Sequence, residues 1–244
     1  MKYESKMNIA WGITGSGTGL RKTFEQMLFV KQSLNLKVTS FITKAGMEVI
    51  RIYGLSDLLK KISPGNYCEE IITEKMAGSS CVFCGRFSTG RYLTLVVSPA
   101  TSNTVAKIVH GISDTCVTTA VAQALKAEVP VIIFPCDLST ETEIPCMIDR
   151  TLCDGCRKCI QSCPVDAISI VDGKARIDLM ECVGCQVCVS ICPRNAITCW
   201  KRIKIRPREI DLENIDRLRK MKNIIVISDP SEILPKVRKL VKLT

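Results

Sequence analysis

CDGCRKCIQSCP at 153–164 and CVGCQVCVSICP at 182–193 are one cysteine run written twice. Cys153, Cys156, Cys159 and Cys163 precede Pro164, and Cys182, Cys185, Cys188 and Cys192 precede Pro193. The spacing C-x2-C-x2-C-x3-C-P belongs to chains that hold two [4Fe–4S] clusters. Three closely spaced thiolates grip one cubane, and the fourth, a turn further on, reaches the other. One cluster is therefore expected on Cys153, Cys156, Cys159 and Cys192, and the other on Cys182, Cys185, Cys188 and Cys163. The copies are offset by 29 residues, and Ala167-Ile168 answers Ala196-Ile197, which points to a pseudo-twofold unit.

Simpler readings of the cysteines fail. Structural zinc uses two C-x2-C pairs with a longer gap, often with histidine, whereas His110 is the single histidine and lies far from the repeat. A disulfide framework suits short secreted chains. The run matches bacterial-type ferredoxins, so residues 148–202 are expected to form an α+β ferredoxin-like 2[4Fe–4S] domain that moves electrons.

The other bounds agree. At 244 residues and 46% apolar, the chain can bury a substantial core in one or two domains. No run of about 18 apolar residues suggests a membrane span. Lys2, Glu4 and Lys6 before a short apolar stretch do not resemble a signal peptide, so fifteen cysteines imply a reducing cytoplasm. The formal charge of +10 falls to about +6 once each cluster with four thiolates contributes about −2. Residues 203–244 carry eleven Lys or Arg against six Asp or Glu. A solvated helix face explains this better than nucleic-acid binding, because no aromatics interleave to stack on bases. An acidic electron-donor protein or an anionic pterin-like substrate would also suit that surface.

Outside the repeat, apolar runs at 7–14, 36–42, 93–98, 129–134 and 223–228 read as strands. Their continuous apolarity predicts a parallel sheet covered on both faces. Helical periodicity at 20–34, 44–52, 103–112, 117–127, 212–222 and 231–243 predicts an α/β doubly wound, Rossmann-like domain from 1–147 and 203–244. The ferredoxin unit would then be an insertion near a sheet edge. Residues 63–92 lack periodicity and are expected to form a long loop with a short helix.

The segment Ser98-Pro99-Ala100-Thr101-Ser102-Asn103-Thr104 follows a strand and opens a helix. It is either an ordinary helix cap or a polar cradle for a phosphate. Together with ITGSGTG at 13–19, TSFITKAG at 39–46 and the continuation to Asp114-Thr115, it resembles the homo-oligomeric flavin-containing cysteine decarboxylase family of flavoproteins. The resemblance covers about 1–147 and 203–244 and implies FMN. It places Gly15, Ser16 and Gly17 along the flavin, Ser40 and Thr43 near its phosphate or ribityl chain, and Ser98, Ala100, Thr101, Ser102, Asn103 and Thr104 against ring and ribityl hydroxyls. It also implies a homo-oligomer, a trimer or higher. A nicotinamide site is a poorer fit, since no G-x-G-x-x-G register exists.

Two departures separate the chain from the family's decarboxylases. Ile42–Met47 contains no histidine where they place one, and Phe134-Pro135-Cys136-Asp137 replaces their substrate clamp. His110 reads as a packing or helix-end residue, so decarboxylation is not expected. With the ferredoxin run added, the chain resembles the family's archaeal iron–sulfur dihydromethanopterin reductases. This implies electrons passing from a low-potential donor protein through the clusters to FMN, then as hydride to 7,8-dihydromethanopterin. The alternative is an electron carrier between ferredoxin-type donors and other oxidoreductases, with no small-molecule substrate.

Seven cysteines stand outside the repeat: Cys68, Cys81, Cys84, Cys116, Cys136, Cys146 and Cys199. Free cysteine packs as a small hydrophobe. Cys199 is expected in the core beneath Trp200, while Cys116 and Cys136 are implied by the resemblance to border the flavin pocket. The Cys81-Val-Phe-Cys84 pair reads three ways: incidental, a redox dithiol, or a metal site with Cys68.

Overall fold

A computed structural model describes residues 8–243. Met7 of the expected first strand and the charged opening at 2–6 lie outside the described residues. Strand and helix alternate at first: β1 (Asn8–Ile13), α1 (Leu20–Leu34), β2 (Lys37–Ile42), α2 (Lys44–Ile52) and α3 (Ser56–Ile62). Then come β3 (Ile71–Thr73), α4 (Glu74–Ala77), α5 (Gly85–Ser88), β4 (Leu95–Ala100), α6 (Ser102–Val109), α7 (Cys116–Lys126) and β5 (Val131–Pro135). Short strands β6 (Glu141–Ile144) and β7 (Met147–Ile148) lead into α8 (Lys158–Gln161), the hairpin β8 (Ile168–Val171) and β9 (Lys174–Ile177), and α9 (Val187–Ile191). The chain returns through β10 (Ile197–Thr198) and β11 (Lys201–Lys204) to α10 (Glu209–Arg219), β12 (Ile224–Val226) and α11 (Ile233–Val241).

Six strands form one sheet in the order β3-β2-β1-β4-β5-β12, every pair parallel. The apolar runs are continuous because both faces are covered. Alternate side chains along β1 divide between them. Ile9, Trp11 and Ile13 pack with α1, α3 and α11, whereas Ala10 packs with α6, α7 and α10. The strand order reverses between β1 and β4, and a crevice at the carboxyl ends of such a pair is where doubly wound sheets bind ligands.

Residues 136–208 lie between β5 and β12. β6 pairs antiparallel with β11, and β7 with β10, forming a two-stranded stem. Beyond it a small core of Cys159, Ile168, Ala175, Cys188 and Ile197 is built from both copies of the repeat. The repeat is legible in the backbone itself. Gly155 and Arg157 are left-handed, as are Gly184 and Gln186. The Asp149 carboxylate accepts from the Thr151 N–H and that of Asp178 from the Met180 N–H, both at 2.8 Å.

Three expectations need correction. The stretch 63–92 is not a loop with one helix: it contains an edge strand and two one-turn helices, and it buries Cys68, Cys81, Cys84, Phe87 and Tyr92. Strand β4 continues through Ser98-Pro99-Ala100, so these residues belong to the sheet. Helix α10 starts at Glu209 rather than 212, where Asp211 returns to accept from the Arg208 N–H at 3.1 Å.

The inserted unit docks on the first through a glycine. Gly184, between Cys182 and Cys185, has φ +65°, and a Cβ there would lie 2.5 Å from the Ile52 carbonyl oxygen and 2.9 Å from the Trp200 ring. Gly184→Ala should cost about 1–2 kcal/mol from the left-handed backbone alone, lowering Tm by roughly 2–8 °C. An unchanged melting temperature of the holoprotein would contradict this docking.

Candidate cofactor sites

Thr14, directly after β1, joins the two strands at the reversal. Its hydroxyl donates to the Pro99 carbonyl at 2.8 Å and accepts from the Thr101 N–H at 2.9 Å. Thr101 caps α6, accepting from the Thr104 N–H at 3.3 Å, and Thr43 caps α2, accepting from the Gly46 N–H at 3.0 Å. Both helix N-termini open on one cleft of about 480 Å³, whose walls include Lys44 and Lys107. N-terminal amides, helix dipoles and two ammonium groups form a donor set for an anion such as the FMN phosphate. Lys107 is held by Asp114 at 2.7 Å. Gly15 lets the loop close over α2, because a Cβ there would lie 2.5 Å from that of Ala45.

Of the residues predicted for the flavin, Gly15, Thr43, Thr101, Asn103 and Thr104 meet at this cleft. Ser16 and Gly17 lie at the far end of the glycine-rich loop. The Ser16 hydroxyl accepts from the Thr18 N–H at 3.2 Å, and Gly17 sits against the Tyr53 hydroxyl. Ser40 and Ser98 are fully buried within strands and bond to Ser63 and Thr23, each at 2.7 Å. Ala100 is buried, and its carbonyl accepts from the Cys136 thiol at 3.0 Å, while Ser102 is half-buried on the first turn of α6. Sequence reasoning missed Thr14, Lys44, Glu74, Lys107 and Thr115, which complete the cleft. Lys107 carries the one usable signal, standing a helical turn after Asn103.

Two cavities in the inserted unit are lined by the repeat cysteines. Cys153, Cys156, Cys159 and Cys192 line one, with Ile148, Ala175 and Ile197. Cys163, Cys182, Cys185 and Cys188 line the other, with Ile168, Ile177 and Val183. Each fourth cysteine thus faces the other run's trio. Backbone amides aim at the sulfurs: Ala167 N–H at Cys163 and Ala196 N–H at Cys192, both at 3.3 Å, and Ala175 N–H at Cys153 at 3.4 Å. Such donors favour thiolate and tune a bound cluster. Among the described residues no group of His, Cys, Asp or Glu is arranged for a single metal ion.

The two sites are joined by an aromatic bridge. The Trp200 ring packs on that of Tyr53 at 4.8 Å, the Arg21 guanidinium lies 4.1 Å over Trp200, and Arg21 donates to the Tyr53 carbonyl at 2.9 Å. The Tyr53 hydroxyl donates to the Glu143 carbonyl, and Thr18 in the glycine loop bonds Thr142 at 2.9 Å. Burial, with Glu143 nearby, pushes the Tyr53 hydroxyl up to about 12, so it stays a neutral donor.

Of the surplus cysteines, Cys199 is placed differently from expectation. Cys146 and Cys199 form a disulfide across the stem, and Cys199, expected in the core, is half-buried. The β6–β11 and β7–β10 ladders share one register, with Ile144 opposite Lys201 and Met147 opposite Thr198, which sets these two positions opposite each other. Burial pushes the Cys136 thiol up to about 11. Cys68 lies beside Arg86 and Glu70, apart from Cys81 and Cys84. His110 ends α6 as an exposed cap.

The flavoprotein family profile matches residues 2–145. The chain belongs to the flavoprotein family. A 4Fe–4S dicluster domain matches residues 152–209, so this member is an iron–sulfur flavoprotein. It is 47% identical to dihydromethanopterin reductase (acceptor) of Methanocaldococcus jannaschii, over 96% of both chains. A protein of the same name from Methanosarcina mazei is 42% identical over 94% of this chain and 98% of its own. The crystal structure of Burkholderia xenovorans DmrB in complex with FMN shares the fold, with a TM-score of 0.64 and 24% identity over 99% of this chain and 98% of its own.

Thr101→Ala removes a cap worth about 1 kcal/mol and should reduce flavin occupancy in the flavoprotein unit. Iron content should be unchanged, and loss of iron with retained flavin would contradict the division into two sites. Cys163→Ala should damage the cluster of the second cavity and leave that of its own neighbours, as read by iron quantitation and paramagnetic resonance.

Proposed function

We propose that the protein is an oxidoreductase that takes electrons from a low-potential donor protein and reduces a dihydropterin, converting 7,8-dihydromethanopterin to tetrahydromethanopterin. Two units are proposed: 1–147 with 203–244 holds FMN, and 148–202 holds two [4Fe–4S] clusters on the eight repeat cysteines. When bound, the clusters relay single electrons and FMN supplies a hydride. The carrying observation is the joining of both cofactor units in one chain, with the second cysteine cavity packed through Gly184 and Trp200 on Tyr53 beside the glycine loop. The 47% identity over 96% of a protein named for this reaction supports the substrate.

The chain's own groups have defined tasks in this reading. Thr14, Thr43 and Thr101 aim amides and helix ends into the cleft, and Lys44 and Lys107 balance the phosphate charge. Apolar residues at both cysteine cavities would cover part of each cluster, while Cys156 and Cys185 are exposed. Of the described helices, none is long and apolar enough to cross a membrane, which fits a cytoplasmic enzyme. The Burkholderia protein is described as a cubic protein cage, in keeping with a homo-oligomer here.

Anaerobically purified protein should contain about eight iron, about eight sulfide and one FMN per chain. Four iron, or zinc, would sink the two-cluster reading. A low-potential one-electron donor should reduce the protein, and dihydromethanopterin should reoxidise it, whereas NADH and NADPH should react slowly. Reoxidation by other redox proteins but not by the dihydropterin would establish an electron carrier instead.

A further inference from the structure

Cys81 and Cys84 are absorbed by neither cofactor site. The turn beginning at Cys81, whose φ is +42°, brings the Cys84 N–H onto the Cys81 carbonyl at 2.8 Å and the two sulfurs to 2.8 Å from each other. That separation argues against a shared metal, because a tetrahedral site with bonds of about 2.3 Å holds its sulfurs about 3.8 Å apart. The pair is asymmetric. Cys81 lines a cavity of about 400 Å³, together with Glu74, Lys75, Ser79, Thr115 and Cys116, whereas Cys84 lies behind it and is 1% exposed. The hydrogen bond from Cys84 lowers the Cys81 thiol, and that same bond, with burial, raises Cys84. A thiol on a cavity wall, backed by a thiol that the cavity does not reach, is the arrangement of an attacking and a resolving cysteine.

We propose that Cys81 and Cys84 form a thiol–disulfide exchange site for a small polar disulfide admitted through this cavity. Cys81 gives up its proton and its sulfur attacks one sulfur of the disulfide, forming a mixed disulfide and expelling the first thiolate. Cys84 then gives up its proton and attacks the Cys81 sulfur, expelling the second thiolate and closing the Cys81–Cys84 bond. Two cysteine thiols are oxidised, one disulfide is reduced to two thiols, and the two protons leave with them. The cavity's size and the 3% exposure of Cys81 restrict the substrate to a small molecule rather than a protein disulfide. Polar walls select a hydrophilic one.

The test uses anaerobic holoprotein and 2-hydroxyethyl disulfide, with adducts located by peptide mass mapping. The native chain should lose two titratable thiols, release two equivalents of mercaptoethanol, and show a Cys81–Cys84 disulfide with no retained adduct. Cys84→Ser should instead retain one adduct, on Cys81, with only one equivalent released. Cys81→Ser should consume neither thiol. All three proteins should keep equal iron and flavin, so that loss of reactivity is not loss of fold. Adducts on Cys68, Cys116 or Cys136 in place of Cys81 would overturn the proposal. So would a Cys81→Ser protein that reacts like the native chain, or a native chain whose thiols stay unmodified.

Discussion

Trp200 packs against both the Arg21 guanidinium at 4.1 Å and the Tyr53 ring at 4.8 Å, with Gly184 closing against its edge. These groups come from four separated parts of the chain: the start of α1, the end of α2, the second cysteine loop and the returning stem. A guanidinium over an indole contributes about 0.5–2 kcal/mol, more when desolvated. The stack matters mainly because electron transfer between cofactors demands fixed separation. A stem of two short ladders alone would leave the inserted unit free to swing. Packing an aromatic ring against a positive-φ glycine removes that freedom at the loop that bears Cys182 and Cys185.

The inserted unit could hardly hold itself together otherwise. Its core is five small or medium side chains, two of them cysteines counted among the cluster ligands. A unit of this size gains too little from apolar burial to offset chain entropy and needs a staple. In the proposed assignment, four ligands to each cluster, with two of the eight crossing between repeats, would tie the halves to each other. Cofactor loading and folding are therefore coupled here, whereas the six-stranded sheet has two full apolar faces of its own. Iron loss should loosen the second unit while leaving the first folded.

What was legible in the sequence followed from how directly residues express the physics. The cysteine spacing reflects coordination chemistry directly, so the trio that each fourth cysteine faces could be read before any geometry. Strands such as VIIFP and LVVSPA announce two-sided burial by continuous apolarity. By contrast, β6 and β11 read ETEI and KRIK, an exposed ribbon whose charges give no strand signal. The region 63–92 hid β3, α4 and α5 because three or four residues cannot display a period. The family resemblance alone assigns Ser40 and Ser98 to the flavin, and both are fully buried in strands, bonded to Ser63 and Thr23. The partner of Cys146 was unreadable, since connectivity depends on ladder register.

The stem has a further property. The α-carbons of Cys146 and Cys199 are 3.9 Å apart, although 53 positions separate them in sequence. Adjacent residues across a trans peptide are about 3.8 Å apart. Residues 147–198 could thus be replaced by a tight turn joining the two antiparallel strands, with little displacement of the flanking backbone. What would remain is a complete doubly wound domain with its sheet, cleft and terminal helices intact. The geometry makes the inserted part a cassette, one whose addition or removal requires no redesign of the host fold.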